Sequence, residues 1–161
     1  MKILLLTLLI TFNVQAYDSL PPPYYLLRIA SDVSGIPLIG YGNDLQIFIV
    51  GSDFVYFKEH PYLLGLYNKR NGYKQIIILN NAETTFGELN TRIIHEMVHY
   101  LQDPDLTCKG MEVRGQVELD AYKAENKFRK KYGKKLNIIP YELSDYDYLV
   151  NGSKETTKGV C

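Results

Sequence analysis

Residues 85–102 read TFGELNTRIIHEMVHYLQ, and at their centre lies His95-Glu96-Met97-Val98-His99. Thr85 and Glu88 have the spacing of a capping box, and Asp103-Pro104 is a stop signal, so the pattern predicts a helix from near Phe86 to near Gln102. Ile93, Ile94, Met97, Val98 and Leu101 give that helix an apolar body, which buries it. Residues four apart project from one helix face, so both imidazoles reach a single metal ion. Glu96, rotated to one side, reaches a water on the ion rather than the ion itself. Two nitrogen ligands, a metal that lowers the water pKa to about 7 and a carboxylate base suit metal-assisted hydrolysis. Two blander readings stand beside this one. One is a core helix whose histidines meet backbone partners; the other is a zinc site that only holds the fold, although such sites are usually closed by four protein ligands, often cysteines.

The rest of the chain bounds the setting. With 161 residues, 46% of them hydrophobic and 22% charged, it has the composition of one globular domain. A formal charge of zero excludes the electrostatic footprint of a nucleic-acid or anionic-membrane binder. Met1-Lys2, the apolar run Ile3 to Ile10 and the small-residue site Val14-Gln15-Ala16 read as a signal peptide over residues 1–16, too short to span a bilayer. Residues 17–161 are then the mature domain, secreted or periplasmic, with no stable membrane association after cleavage. Export implies an oxidising compartment, where Cys108 and Cys161 form one disulfide worth on the order of 4 kcal/mol, the alternatives being two free thiols or Cys161 as a zinc ligand. Asn151-Gly152-Ser153 is a glycosylation sequon in form and more simply a turn. The 14 tyrosines suit boundaries of sheet and helix.

Pro21-Pro22-Pro23 precedes a helix over Tyr24 to Ser34, stopped by Gly35. Apolar or alternating runs predict strands at Leu45 to Val50, Phe54 to Phe57, Leu63 to Tyr67 and Tyr73 to Leu79, the last two joined by a hairpin turn at Asn71-Gly72. An antiparallel sheet edge therefore ends just before the helix of residues 86–102. A final helix covers about Glu112 to Tyr132, with Val113, Val117, Ala121, Ala124 and Phe128 as its apolar stripe and Gly133 as its C′ residue. The class is α+β: a small antiparallel-edged sheet packed on the HExxH helix and the helix after it.

A catalytic zinc takes three protein ligands and keeps one position open, so a third ligand is required. The metzincin pattern would place a glycine and a histidine where Gln102 and Asp105 stand, leaving Asp105 as one candidate. Glu118 is the second, separated from His99 by 18 intervening residues and placed on the final helix, with small Ala121 one turn away to let two helices approach. Glu112, Asp120 and Glu125 form a third set, open to a different helix phase. Asp120 lies about 200° around the helix from Glu118, so only one of those two can face the metal.

HEMVHYLQ followed by Glu118-Leu119-Asp120-Ala121-Tyr122 resembles the gluzincin pattern, HExxH and then ExxA on a later helix. The likeness covers roughly residues 63–128 and is nearest to small secreted HExxH domains of minimal gluzincin type. Arg92 departs from the usual Val or Thr of the extended motif, and Tyr122 stands where several gluzincins place an acidic residue behind the ligands. The resemblance implies a zincin-like fold and Zn2+ held by His95, His99 and Glu118. It also implies peptide-bond hydrolysis with Glu96 as general base, and a peptide or protein substrate added as a strand to the hairpin Leu63 to Leu79. An oxyanion donor would come from His60, Tyr67, Tyr73, Tyr100 or Tyr122. Two alternatives from other classes are a non-catalytic secreted zincin-fold binding protein that retains zinc, and a zinc carrier or sensor. The intact Glu96 favours the enzyme, because zinc binding needs only the ligands.

Overall fold

Proline is pre-set for the start of a helix and glycine for its end, and the first element uses both. In the computed structural model α1 spans Pro23–Ser34, with Gly35 closing it in the left-handed region at φ 78°. The structure describes residues 21–142 apart from 39, 41, 62, 71–72 and 103–110, with backbone only at 70 and 111–114. The expected signal peptide, Cys108, Cys161, Asp105, the 151–153 sequon and the Asn71-Gly72 turn lie outside the described residues. After α1 come β1 (Leu45–Val50), α2 (Val55–Glu59), β2 (Gly65–Arg70), β3 (Tyr73–Leu79), α3 (Phe86–Gln102) and α4 (Met111–Leu136). The chain is thus α+β, with a three-stranded sheet and four helices among the described residues.

The strand order is β1-β3-β2, with β1 parallel and β2 antiparallel to the central β3. Two expectations need correction here. The strand entering the motif helix, β3, lies in the middle of the sheet, and β2 forms the antiparallel edge. The strand expected at Phe54 to Phe57 is instead the short helix α2, closed by Phe57 and Lys58 amides donating to the Phe54 carbonyl. Four consecutive apolar residues carry neither a two-residue nor a 3.6-residue period, and only Phe57 is buried while Val55 is exposed. Just beyond β2, the Leu79 amide donates to the Leu64 carbonyl at 3.0 Å, which makes the even positions of β2 the ones bonded to β3. The amides at 65, 67 and 69 therefore point to the outer edge.

α3 is the central rod of the core. From Leu89 to Leu101 every residue except Arg92 is buried, and α3 packs against α1, α4, β2 and β3. Ile93, Ile94, Met97 and Val98 meet Leu27 and Ala30 of α1, Ile76 and Ile78 of β3, and Ala121, Ala124 and Phe128 of α4 in one cluster. Burying each large aliphatic side chain stabilises by roughly 1.5–3 kcal/mol. Thr85 caps α3 by accepting from the Glu88 amide at 3.1 Å, but the reciprocal half of the capping box is absent, because the Glu88 carboxylate turns to Arg129.

α4 runs past its expected end, so Gly133 lies inside the helix rather than at C′. Asn137 takes that role at φ 53°, and the Ile138 amide donates back to the Gly133 carbonyl at 3.1 Å, a Schellman closure. Gly133 is needed for proximity: a Cβ there would lie 2.6 Å from the Ile138 carbonyl oxygen. Among the described residues no helix is long and apolar enough to cross a membrane.

Candidate metal centre

Three side chains converge where α3 and α4 cross. His95 and His99 are successive turns of α3, and Glu118 faces them from α4 beside Ala121, which is fully buried and lets the helices close. The His95 and His99 Nε2 atoms are 3.2 Å apart; Glu118 Oε2 lies 3.3 Å from the first and Oε1 3.4 Å from the second. These groups could hold a metal ion. They are the same three residues that the sequence pattern singles out. Asp120 is on the opposite, exposed side of α4, accepting from Gln116, and Glu125 reaches the rear of His95 instead of the metal position.

The partners of the rear nitrogens fix the front ones. His95 Nδ1 donates to Glu125 Oε2 at 3.2 Å, and His99 Nδ1 donates to Gln102 Oε1 at 2.9 Å. The Gln102 amide is oriented by its Nε2, which donates to the Val117 carbonyl. With both rear nitrogens carrying hydrogens, neutral rings aim two Nε2 lone pairs at each other and at a carboxylate. Such a cluster demands a cation, either a proton or a metal. The electrostatics agree: burial opposes charge on His95, but hydrogen bonds to Glu118 and Glu125 outweigh it and raise its pKa well above the ordinary value. Burial would lift Glu118, yet the facing His99 and the bond to His95 hold it well below the usual carboxylate range.

Behind His95 stands a buried ionic hub. Glu125 accepts from His95, from Arg129 Nε at 3.0 Å and from the Tyr141 hydroxyl at 2.7 Å. Arg129 also donates to both Glu88 oxygens, to Thr91 and to the Ile139 carbonyl, tying the start of α3 to the segment after α4. Burial favours a neutral Glu125; the His95 bond and the Arg129 charge reverse that and keep its pKa low. Tyr141 is driven well above its ordinary pKa by burial and the Glu125 charge, so it stays a donor. The Tyr122 ring packs on His95 with centroids 4.4 Å apart, filling the place expected for an acidic group, while Glu125 supplies the carboxylate. Sequence reasoning offers Glu125 only as a ligand. Its seven-residue spacing from Glu118 places both on one helix face and is the available signal. Gln102, three residues past His99, enters the sequence pattern only by breaking the metzincin motif, and nothing in the sequence singles out Arg129 or Tyr141.

Glu96 lies on the sheet side of the site. Burial pushes its carboxyl up from the ordinary value, against the pull of both imidazoles and a hydrogen bond from the Tyr67 backbone N–H. Arg92, the odd residue of the extended motif, donates to the Leu79 carbonyl at 2.6 Å and to Thr84, clamping the end of β3 onto α3. Of the candidate oxyanion donors, Tyr100 is turned to Asp44, His60 stacks on Tyr56, Tyr67 is buried edge-on to Tyr100, Tyr73 is exposed, and Tyr122 alone touches a ligand ring.

No protein-family model matches the chain, and neither a curated protein nor a solved structure is similar to it at a significant level. The chemistry therefore rests on the geometry itself: two imidazoles and a carboxylate that could hold a metal ion, with the buried Glu96 carboxylate beside them and the edge strand β2 alongside.

Proposed function

We propose that this protein is a zinc-dependent peptidase of gluzincin type with a zincin-like arrangement, acting outside the cytoplasm. The observation that carries the reading is the convergence of two imidazoles and one carboxylate, with one ligand atom of each within 4.8 Å of the others. Tetrahedral zinc with bonds of about 2.0–2.1 Å separates its ligand atoms by about 3.3 Å. Here the two Nε2 atoms lie 3.2 Å apart, close to that spacing, and the Glu118 carboxylate turns one oxygen to each ring, Oε2 at 3.3 Å from His95 and Oε1 at 3.4 Å from His99. Two imidazoles and one carboxylate are a catalytic donor set, leaving a fourth position for chemistry rather than closing the site.

Bound zinc would polarise a peptide carbonyl and acidify a water molecule. His95, His99 and Glu118 would hold the ion, and Glu125 and Gln102 orient the two rings. Glu96 takes the proton of the attacking water on a carboxylate oxygen and delivers it to the leaving amine. An extended substrate would lie along β2, the antiparallel edge strand of the sheet and the one that passes beside Glu96. The predicted signal peptide supports a secreted or periplasmic setting.

Metal analysis of the purified protein combined with Glu96→Gln tests this reading. Stoichiometric zinc is expected in both forms, with peptide hydrolysis in the wild type alone. Failure to take up zinc would sink the proposal, and zinc retained without cleavage of a diverse peptide library would favour the non-catalytic binding protein. Glu118→Ala should lower zinc affinity sharply while Asp105→Ala leaves it unchanged; the reverse order would remove the gluzincin assignment.

A further inference from the structure

β2 turns residue 65 toward α3, and a side chain there has no room. A Cβ placed on Gly65 lies 2.5 Å from Glu96 Oε1, 2.9 Å from its Cγ and 3.0 Å from its Cδ. Backbone conformation does not explain the glycine. The positive φ values among the described glycines are at 35, 40 and 42, so alanine could adopt the Gly65 backbone without strain. Glycine inside a strand is otherwise a liability, since it loses more chain entropy on folding than alanine and packs nothing. The neighbour it avoids is the Glu96 carboxylate, which is 7% exposed and cannot swing freely into solvent. Two residues on, the Tyr67 N–H donates to the same carboxylate.

We propose that Gly65 is a positioning residue for Glu96: its missing side chain forms the seat that holds the carboxylate beside His95 and His99, and the Tyr67 amide anchors it there. The general-base role of Glu96 rests on the peptidase reading above, whereas the steric seat does not. The three heavy atoms nearest a methyl group at 65 all belong to Glu96, so the methyl displaces this carboxylate from the seat first.

The test is a double-mutant cycle with Gly65→Ala and Glu96→Ala, read by thermal unfolding, zinc affinity and peptide hydrolysis. Gly65→Ala should lower Tm by about 4 °C in the wild-type background. In the Glu96→Ala background the same change should be neutral or raise Tm, because the clash is gone and alanine loses less entropy. With Glu96 present, Gly65→Ala should cut kcat at least about tenfold and leave zinc affinity within about twofold. Glu96→Asp, one methylene shorter, should recover part of the lost Tm. An equal Tm loss in both backgrounds, or unchanged hydrolysis by Gly65→Ala in an active enzyme, would overturn the proposal. Coupled Tm values in a wild type that cleaves no peptide would establish the seat and defeat the peptidase reading instead.

Discussion

A histidine presents one nitrogen to a ligand and is aimed by whatever holds the other. His95 is aimed by a carboxylate and His99 by a neutral amide, so the two rings of one motif differ in kind. Glu125 is in turn kept ionised by Arg129 and Tyr141, which leaves it a permanent acceptor and makes His95 the more electron-rich ligand. Glu125→Gln is therefore expected to weaken zinc binding by about 10–100-fold. Gln102→Ala, which removes no charge, should cost less. Competition with a chromophoric chelator measures both, and a larger loss at Gln102 would show that the carboxylate does not tune the site.

At the scale of elements, α4 ends by rules that oppose simple helix propensity. Alanine is favoured over glycine in a helix interior by about 1 kcal/mol. Gly133→Ala should nevertheless destabilise by about 1–3 kcal/mol, because the new methyl would press on the Ile138 carbonyl. Asn137→Gly should be neutral or stabilising at its positive φ, and Asn137→Ala destabilising by about 1 kcal/mol. Urea unfolding of the three variants checks the ordering. These boundaries also mark how far the fold was legible in the sequence. The span of α3, the strands β1 and β3 and the placing of Glu118 beside His95 and His99 depend on periodicity and spacing along single elements, which are local properties. Whether 54–57 is strand or helix, which strand is the edge, and where α4 stops depend on partners distant in the chain. The same holds for Glu125: its phase on α4 was readable, but its role depended on how α4 crosses α3. Gly65 had a readable signal, a glycine amid Leu63, Leu64, Leu66 and Tyr67, without any hint that Glu96 was the group it accommodates.

Across the whole molecule, the His95, His99 and Glu118 group of the proposed metal site bridges α3 to α4, and Arg129 joins the same two helices a few turns away. Zinc at about 100 times its dissociation constant should thus add about 2.7 kcal/mol to stability, a rise in Tm of roughly 5–10 °C. A chelator should reverse it, and Glu118→Ala should remove the response. A zinc-independent Tm in the wild type would contradict a site formed only in the folded state. The sheet topology carries a kinetic consequence of its own. β2 and β3 are neighbours in sequence, whereas Gln46 of β1 meets Gln75 of β3 across 29 residues, with α2 and β2 in between. Loop closure makes the hairpin the early event and the docking of β1 the late one. Ile47→Val should then mainly quicken unfolding, while Ile76→Val should slow folding, as separate arms of a chevron plot would record. Until β1 arrives, the strand destined for the middle of the sheet is itself an edge, and its row of isoleucines is open to any other chain. The interval before that docking is when this protein is most exposed to aggregation.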